Sequence, residues 1–160
     1  METFEKMKFL NIQPSQATFV SLISACGHMG LVDQGCFLFG SMKLEHRMAP
    51  QSDIYGCMVD MFARNGHLED AKRVIEMMPY PPWPAILRCL LSGCRIYGNR
   101  EVGEWAAKNL LQLLPEDDAA YTLLFKVYSE GCSWDDAANL KQGMAERDLK
   151  KDLGYSWIEA

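Results

Sequence analysis

Apolar residues recur at three- and four-residue steps along most of the chain, which is the spacing of one face of an α-helix. This spacing predicts helices of a first kind, called A, at 17–28, 53–65, 84–97 and 119–130. It predicts a second helix, called B, after each A helix, at 31–45, 68–78, 100–114 and 134–147. We interpret the apolar stripes as core, and residues 1–11 as a further B helix without its A partner.

A glycine-led turn separates the two helices of every pair. The turn glycines are Gly30, Gly66, Gly98 and Gly131, at intervals of 36, 32 and 33 residues. A period of this length is typical of stacked helical hairpins, each of which needs its neighbours to bury its apolar face. The sequence therefore predicts an all-α protein, a right-handed alpha-alpha superhelix (solenoid) of helix-turn-helix repeats that is similar to tetratricopeptide repeats.

The charge of the chain limits its partners. The 160 residues carry a formal net charge of −5, whereas a protein that binds nucleic acid through phosphates usually has a basic surface. The predicted A helices hold a small excess of basic residues and the B helices an excess of acidic ones. If the A helices line the concave surface, the groove is mildly basic. The alternative is that these are ordinary solvated charges at repeat edges.

Residues that could carry catalysis are scarce. The six cysteines lie at 26, 36, 57, 89, 94 and 132, and we interpret them as small buried side chains in a reducing compartment. His67-Leu68-Glu69 forms an H-x-E triplet, but a zinc deaminase also needs a later P-C-x-x-C, which the sequence does not contain. No Gly-rich phosphate loop or metal-ligand spacing is present either. We predict no catalytic residue, no metal and no cofactor, and hence a protein that is not an enzyme.

Several motifs occur in register with a known family. Residues 11–35 resemble the long-type motif of plant PLS-class pentatricopeptide repeat proteins, and residues 55–79 resemble the short-type motif that follows it. Residues 90–99 resemble the opening of that family's E region, and residues 154–159 resemble its ending. The chain is thus similar to the C-terminal part of such a protein, without the DYW deaminase domain.

The resemblance implies a division of the chain into five parts. They are a partial repeat (helix B only) at 1–15, a long-type repeat at 16–51, a short-type repeat at 52–83, a first E motif at 84–117 and a second E motif with a C-terminal cap at 118–160. The E motifs also resemble tetratricopeptide units, which more often present a groove to proteins.

The family binds single-stranded organellar RNA, with one nucleotide per repeat, usually in C-to-U editing. The resemblance places the base-reading positions at Val20 and Gln51 in the long repeat, and at Gly56 and Trp83 in the short one. Only Gln51 offers a side-chain amide, since Val20 and Gly56 have no polar side-chain atom. Trp83 either stacks on a base or packs against the next helix.

The candidates for contacts with the RNA backbone are the basic residues of the predicted A helices. They are Arg64, Arg88, Arg95 and Lys126. These positions predict a weak RNA track that contributes to a longer array.

Two functions fit these observations. The first is a non-catalytic RNA-binding adaptor of organellar RNA processing, most simply C-to-U editing, which places or recruits a separate deaminase. The alternative is a tetratricopeptide-like protein-interaction scaffold with negligible RNA affinity. The expected partners are single-stranded RNA, bound weakly by the chain alone, and an editing cofactor or deaminase-bearing protein, with no membrane.

The family resemblance also implies a location. We expect the mitochondrion or the chloroplast, with the mitochondrion preferred, although no transit peptide is visible in this sequence. The partial repeat at the N-terminus suggests truncation, and its open apolar face could drive self-association.

Overall fold

The computed structural model describes residues 2–130, and the described part of the chain is entirely helical in its regular structure. Its helices are α1 (Glu2–Phe9), α2 (Gln16–Met29), α3 (Val32–Leu44), α4 (Ser52–Arg64), α5 (Leu68–Met77), α6 (Pro84–Tyr97), α7 (Arg100–Leu113) and α8 (Asp118–Glu130). Within these residues no helix is long and apolar enough to cross a membrane.

Local sequence signals set several helix ends. Ser15 begins α2 with a capping box, in which its hydroxyl accepts from the Thr18 amide and the Thr18 hydroxyl accepts from the Ser15 amide. Pro84 occupies the first turn of α6, where its missing N–H costs no hydrogen bond. Gly30 and Gly98 end α2 and α6 in the left-handed conformation, with φ of 72° and 69°.

The A helices α2, α4, α6 and α8 pack side by side in one row, and the B helices α3, α5 and α7 lie behind them. Contacts between successive A helices are far more extensive than those between α5 and α7. Because the A helices pack more closely on one another than the B helices do, the array curves toward the A helices, which form the inner face of the superhelix. The core between the two layers is apolar and includes Phe19, Met61 and Leu90, which are fully buried.

Residues just before the turn glycines connect each hairpin to the preceding one. Asn65 donates through Nδ2 to the carbonyl oxygens of Gly27 at 3.1 Å and Met61 at 2.7 Å. Tyr97 occupies the same place one repeat later, and its hydroxyl donates to the carbonyl oxygen of Arg64 at 2.5 Å. These bonds use carbonyls at the C-terminal ends of α2 and α4, which have no partner inside the helix. They fix how successive hairpins stack.

The predicted helices within residues 2–130 are confirmed; their ends agree with the structure to within one residue, except that α1 ends at Phe9, two residues before the predicted end at 11. The predicted all-α superhelix is confirmed as well. The predicted helix at 134–147, the closing segment at 154–159 and Cys132 lie outside the described residues.

The prediction that the cysteines are buried is correct only in part. Cys26 and Cys94 are buried and Cys57 and Cys89 are half-buried, but Cys36 is exposed. Cys36 lies on α3 directly after Gly35, which faces the core, so its side chain points to the outer side of the B layer. The buried stripe of a helix does not include all of its apolar residues, and Cys36 lies outside the stripe of α3.

Candidate nucleic-acid interface

The inner face of α4 carries a row of three residues at four-residue intervals. Gly56, Asp60 and Arg64 follow one another on the same side of the helix, since residues four apart lie one above the other. Helix α6 packs beside this row and adds Trp83, its N-cap, and Cys89, six residues further along. We call these five residues the α4–α6 groove.

The predicted base-reading residues occupy equivalent places in the two repeats. Val20 is the fifth residue of α2 and Gly56 the fifth of α4. Gln51 is the N-cap of α4 and Trp83 the N-cap of α6. Gln51 is exposed and makes no capping bond with its side chain, whereas Val20 is half-buried against the core.

The structure brings the two residues of the short-repeat pair together. A Cβ atom built on Gly56 would lie 3.5 Å from Cζ2 of the Trp83 indole, an ordinary van der Waals contact. Trp83 is half-buried and packs against the core. Its ring therefore covers the helix surface at Gly56, on the preceding A helix, rather than standing free in the groove.

Arg64 is paired within the groove. Its Nε donates to Asp60 Oδ2 at 2.7 Å, while 53% of the Arg64 side chain remains exposed. The other carboxylate oxygen, Asp60 Oδ1, accepts from the Cys89 thiol at 3.4 Å. Burial, followed by the nearby Asp60 charge, raises the pKa of Cys89 to about 12, so this thiol stays protonated at neutral pH. Asp60 thus offsets the positive charge of Arg64 on the inner face.

Arg88 is paired with a buried carboxylate. Its guanidinium is hydrogen-bonded to Asp117, whose side chain is 5% exposed. Asp117 also accepts from the Ala120 amide at 3.0 Å through Oδ1, and so caps the beginning of α8. Arg88 therefore ties α6 to α8, and its charge is matched inside the protein.

The remaining two candidates for backbone contacts lie further along the inner row. Arg95 is half-buried in the last turn of α6, and among residues 2–130 it makes no ion pair. Lys126 is half-buried on α8 and has a partner of its own. Sequence reasoning placed all four basic residues on A helices, but it missed the partners of Arg64 and Arg88.

One of these partners had a signal in the sequence and one did not. Asp60 and Arg64 are four residues apart on one helix, a spacing that favours an ion pair. Asp117 is 29 residues from Arg88, and only the packing of α8 on α6 joins them. No group of three or more His, Cys, Asp or Glu side chains that could hold a metal ion occurs in the described ranges.

Comparison with known families shows what the repeats are. The pentatricopeptide repeat model matches residues 17–46 and 53–80, which are the hairpins α2–α3 and α4–α5. The E motif model matches residues 97–159. The chain belongs to the pentatricopeptide repeat family. The order of its motifs, repeats followed by an E motif, agrees with the PLS class.

Individual pentatricopeptide repeat proteins from Arabidopsis thaliana align along nearly the whole chain. Pentatricopeptide repeat-containing protein At5g13270, chloroplastic, is 41% identical over 99% of this chain and 21% of its own length. Pentatricopeptide repeat-containing protein At3g49170, chloroplastic, is 38% identical over 99% of this chain and 19% of its own length. The chain thus spans about a fifth of the length of these relatives.

A solved structure has the same fold. The crystal structure of the pentatricopeptide repeat protein PPR10 from maize superposes with a TM-score of 0.72 at 22% identity, over 94% of this chain and 22% of that chain. PPR10 has also been solved in complex with an 18-nt psaJ RNA element, and that structure superposes with a TM-score of 0.70 at 20% identity.

Proposed function

We propose that this pentatricopeptide repeat chain is a non-catalytic adaptor of organellar RNA processing, which binds single-stranded RNA on its A helices and presents an E motif to a separate deaminase for C-to-U editing. The observation that carries the proposal is the order of parts along one inner face. Two repeats with predicted base-reading residues at equivalent positions, Val20 with Gln51 and Gly56 with Trp83, precede the E motif. The RNA complex of the maize relative PPR10 supports binding by this fold.

The pairing of the inner arginines supports weak binding by the chain alone. Affinity for single-stranded RNA rises with the number of phosphates that basic side chains neutralise. Asp60 and Asp117 already neutralise Arg64 and Arg88. A phosphate at either site must compete with a carboxylate, so most of the RNA affinity has to come from stacking and from other repeats.

The same pairing favours a second candidate, the protein-interaction scaffold. An inner face on which carboxylates match two of the arginines, Arg64 and Arg88, has little net charge, and E motifs resemble tetratricopeptide units. Under this alternative the chain holds a protein partner and binds no RNA.

A pair of carboxylate substitutions separates the two. Asp60→Asn removes one negative charge from the groove and frees Arg64, while the amide oxygen still accepts from Cys89. The matched control is Asp70→Asn on α5, because Asp70 is also paired with an arginine, Arg73 at 3.0 Å, but on a B helix. The measurement is fluorescence anisotropy with a labelled degenerate single-stranded RNA at about 50 and 200 mM salt, the range over which phosphate-driven binding weakens.

The adaptor function predicts three results. Wild-type binding is weak and fades with salt, by about sevenfold over this range if two phosphates are contacted, from a slope of about −0.7 per contact. Asp60→Asn binds more tightly than the wild type, and Asp70→Asn leaves the affinity unchanged. If none of the three proteins binds RNA at either salt concentration, the result favours the scaffold function over the adaptor function. An equal gain from both substitutions means that RNA does not follow the A helices.

The location and the protein partner are part of the same proposal. We infer an organelle, mitochondrion or chloroplast, as the site of action; two Arabidopsis relatives carry the word chloroplastic in their names. The partner is a deaminase-bearing protein or an editing cofactor that contacts the E motif. Co-purification of the chain with C-to-U activity from organelle extract tests this, and loss of that activity on deletion of residues 97–159 is the expected control.

A further inference from the structure

The short repeat differs from the long one at both of its predicted base-reading positions. Gly56 has no side chain, and Trp83 stands at the N-cap of α6. In the long repeat the corresponding N-cap is Gln51, an exposed amide with both a donor and an acceptor. The two repeats therefore offer different chemistry on the same inner face.

The Gly56 and Trp83 positions fit each other. Because Cζ2 of Trp83 lies 3.5 Å from the Cβ position of Gly56, the indole lies directly against the helix surface at the position where a longer base-reading side chain would begin. The indole itself has one hydrogen-bond donor and no acceptor. This pair cannot read a base edge as an amide does.

The backbone around Trp83 is fixed before any ligand arrives. Pro84 restricts Trp83 to extended conformations, and its φ of −110° and ψ of 158° lie in that region. Its carbonyl oxygen accepts from the Ile86 amide at 3.1 Å, within the first turn of α6. With a second proline at position 82 and the indole packed against the core, this segment has few conformations to lose on binding. An aromatic ring that is half-buried, rigid and placed on the inner face is suited to stack against a planar ligand.

We propose that Trp83 is a base-stacking platform, which lets the short repeat hold one nucleotide of any identity while the base preference of this segment comes from Gln51 of the long repeat. This inference rests on the proposed RNA-binding function. It assigns to neighbouring repeats two different tasks, affinity at Trp83 and discrimination at Gln51. Stacking tolerates every base because every base has a π-face.

The test compares substitutions that separate an aromatic face from apolar packing. Trp83→Phe keeps a ring, Trp83→Leu keeps apolar contact with Gly56 but no ring, and Gln51→Ala removes the amide. The matched control is Trp105→Leu on α7, which removes an indole that contacts the Lys72 ammonium at 5.5 Å on the outer side. Each variant of the full chain is titrated by anisotropy against single-stranded 12-mers of adenosine, cytidine and uridine, and its urea midpoint is recorded.

Stacking predicts a specific pattern. Trp83→Leu weakens binding to all three RNAs by about 5- to 100-fold, the range measured when aromatic stacking partners are removed. Trp83→Phe and Trp105→Leu stay within about threefold of the wild type. Gln51→Ala reduces the affinity differences among the three RNAs, and Trp83→Leu preserves them.

Other outcomes overturn the inference in distinguishable ways. If wild-type protein binds RNA and Trp83→Leu binds it equally well, with an unchanged urea midpoint, Trp83 only packs and the stacking proposal is wrong. If Trp83→Leu changes the preference among the RNAs instead of the overall affinity, Trp83 reads bases and the division of tasks is wrong. If the wild type binds none of the RNAs, the proposed function fails and the inference fails with it.

Discussion

Gly93 lies in the middle of α6 where that helix packs on α4, and its lack of a side chain sets the distance between the two helices. A Cβ atom on Gly93 would lie 2.9 Å from the Ala63 carbonyl oxygen and 3.0 Å from Cδ2 of Leu68. The first of these neighbours is backbone and cannot rotate away. The substitution Gly93→Ala therefore forces α6 away from α4.

Two effects of opposite sign determine how much Gly93→Ala changes the unfolding free energy. Overpacking of a closely fitted interior costs about 1–3 kcal/mol. Alanine in place of glycine inside a helix gains about 0.5–1 kcal/mol, because the unfolded chain loses less entropy. The expected net change is a loss of up to about 2.5 kcal/mol of unfolding free energy.

A second glycine isolates the steric part of this change. Gly40 also lies inside a helix, α3, but a Cβ atom there would meet nothing within 4 Å. Gly40→Ala should therefore stabilise the protein by about 0.5–1 kcal/mol. Since the entropy gain is common to both variants, the difference between them is the packing cost of about 1–3 kcal/mol at Gly93.

The assay is urea unfolding followed by circular dichroism at 222 nm, with the midpoint compared at constant slope. The expected order of midpoints is Gly40→Ala, wild type, Gly93→Ala. A Gly93→Ala midpoint at or above that of Gly40→Ala would refute the close approach of α4 and α6. The same spacing brings Trp83 to Gly56.

Three other consequences can be checked. Asn65→Ala removes one hydrogen bond that joins the first two repeats, to Gly27, and one within α4, to Met61; it should lower stability by about 1–3 kcal/mol by urea unfolding, since the acceptor carbonyls stay part-buried, and an unchanged midpoint contradicts this role. Iodoacetamide at pH 8 with peptide mass mapping should label the exposed Cys36 well before Cys94, whose pKa is raised to about 12 by burial; equal rates would contradict the packing of α6. Asp117→Ala should loosen α8 and leave Arg88 uncompensated, seen as faster amide exchange at the start of α8 with that of α2 unchanged.

The Cys94 thiol also gives stability a dependence on pH. Its folded pKa of about 12 lies above the ordinary value of 9.0, so the folded state holds this proton more tightly than the unfolded state. The contribution of Cys94 to the unfolding free energy is fully present below pH 9 and is lost as pH rises toward 12. The expected result is a urea midpoint that falls over this interval in the wild type, with a smaller fall in Cys94→Ala.

Helix positions could be predicted from this sequence because their signals are local. The apolar steps of Phe19, Ile23 and Cys26, the capping serine at 15 and the turn glycine at 30 all lie within one hairpin. Nothing in them depends on which hairpin comes next. The ends of α2 follow from about fifteen neighbouring residues, so the prediction holds to within one residue.

The charge state of the candidate interface could not be predicted in the same way. Arg88 is on an A helix as predicted, but its buried partner Asp117 belongs to a different hairpin. The contact of Trp83 with Gly56 likewise joins two hairpins, and it positions the Trp83 ring in the α4–α6 groove. Both depend on the rotation and spacing of one repeat against the next. Periodicity fixes which residues face inward, and packing between repeats fixes what those residues contact.

The inner arginines illustrate a conflict between building the superhelix and binding an anion along it. Arg88 joins α6 to α8 through its hydrogen bond to Asp117, the residue that caps the beginning of α8. A phosphate that captured Arg88 would therefore also weaken the stacking of the last described repeat. Some of the positive charge that would bind an RNA backbone is therefore already used in an ion pair that holds the A helices together. In a longer array, neighbouring repeats could supply these contacts, and each weak site would gain from the raised local concentration of the strand. On the proposed function, a segment of this kind would add position and register to RNA binding more than affinity, as an adaptor next to an E motif would require.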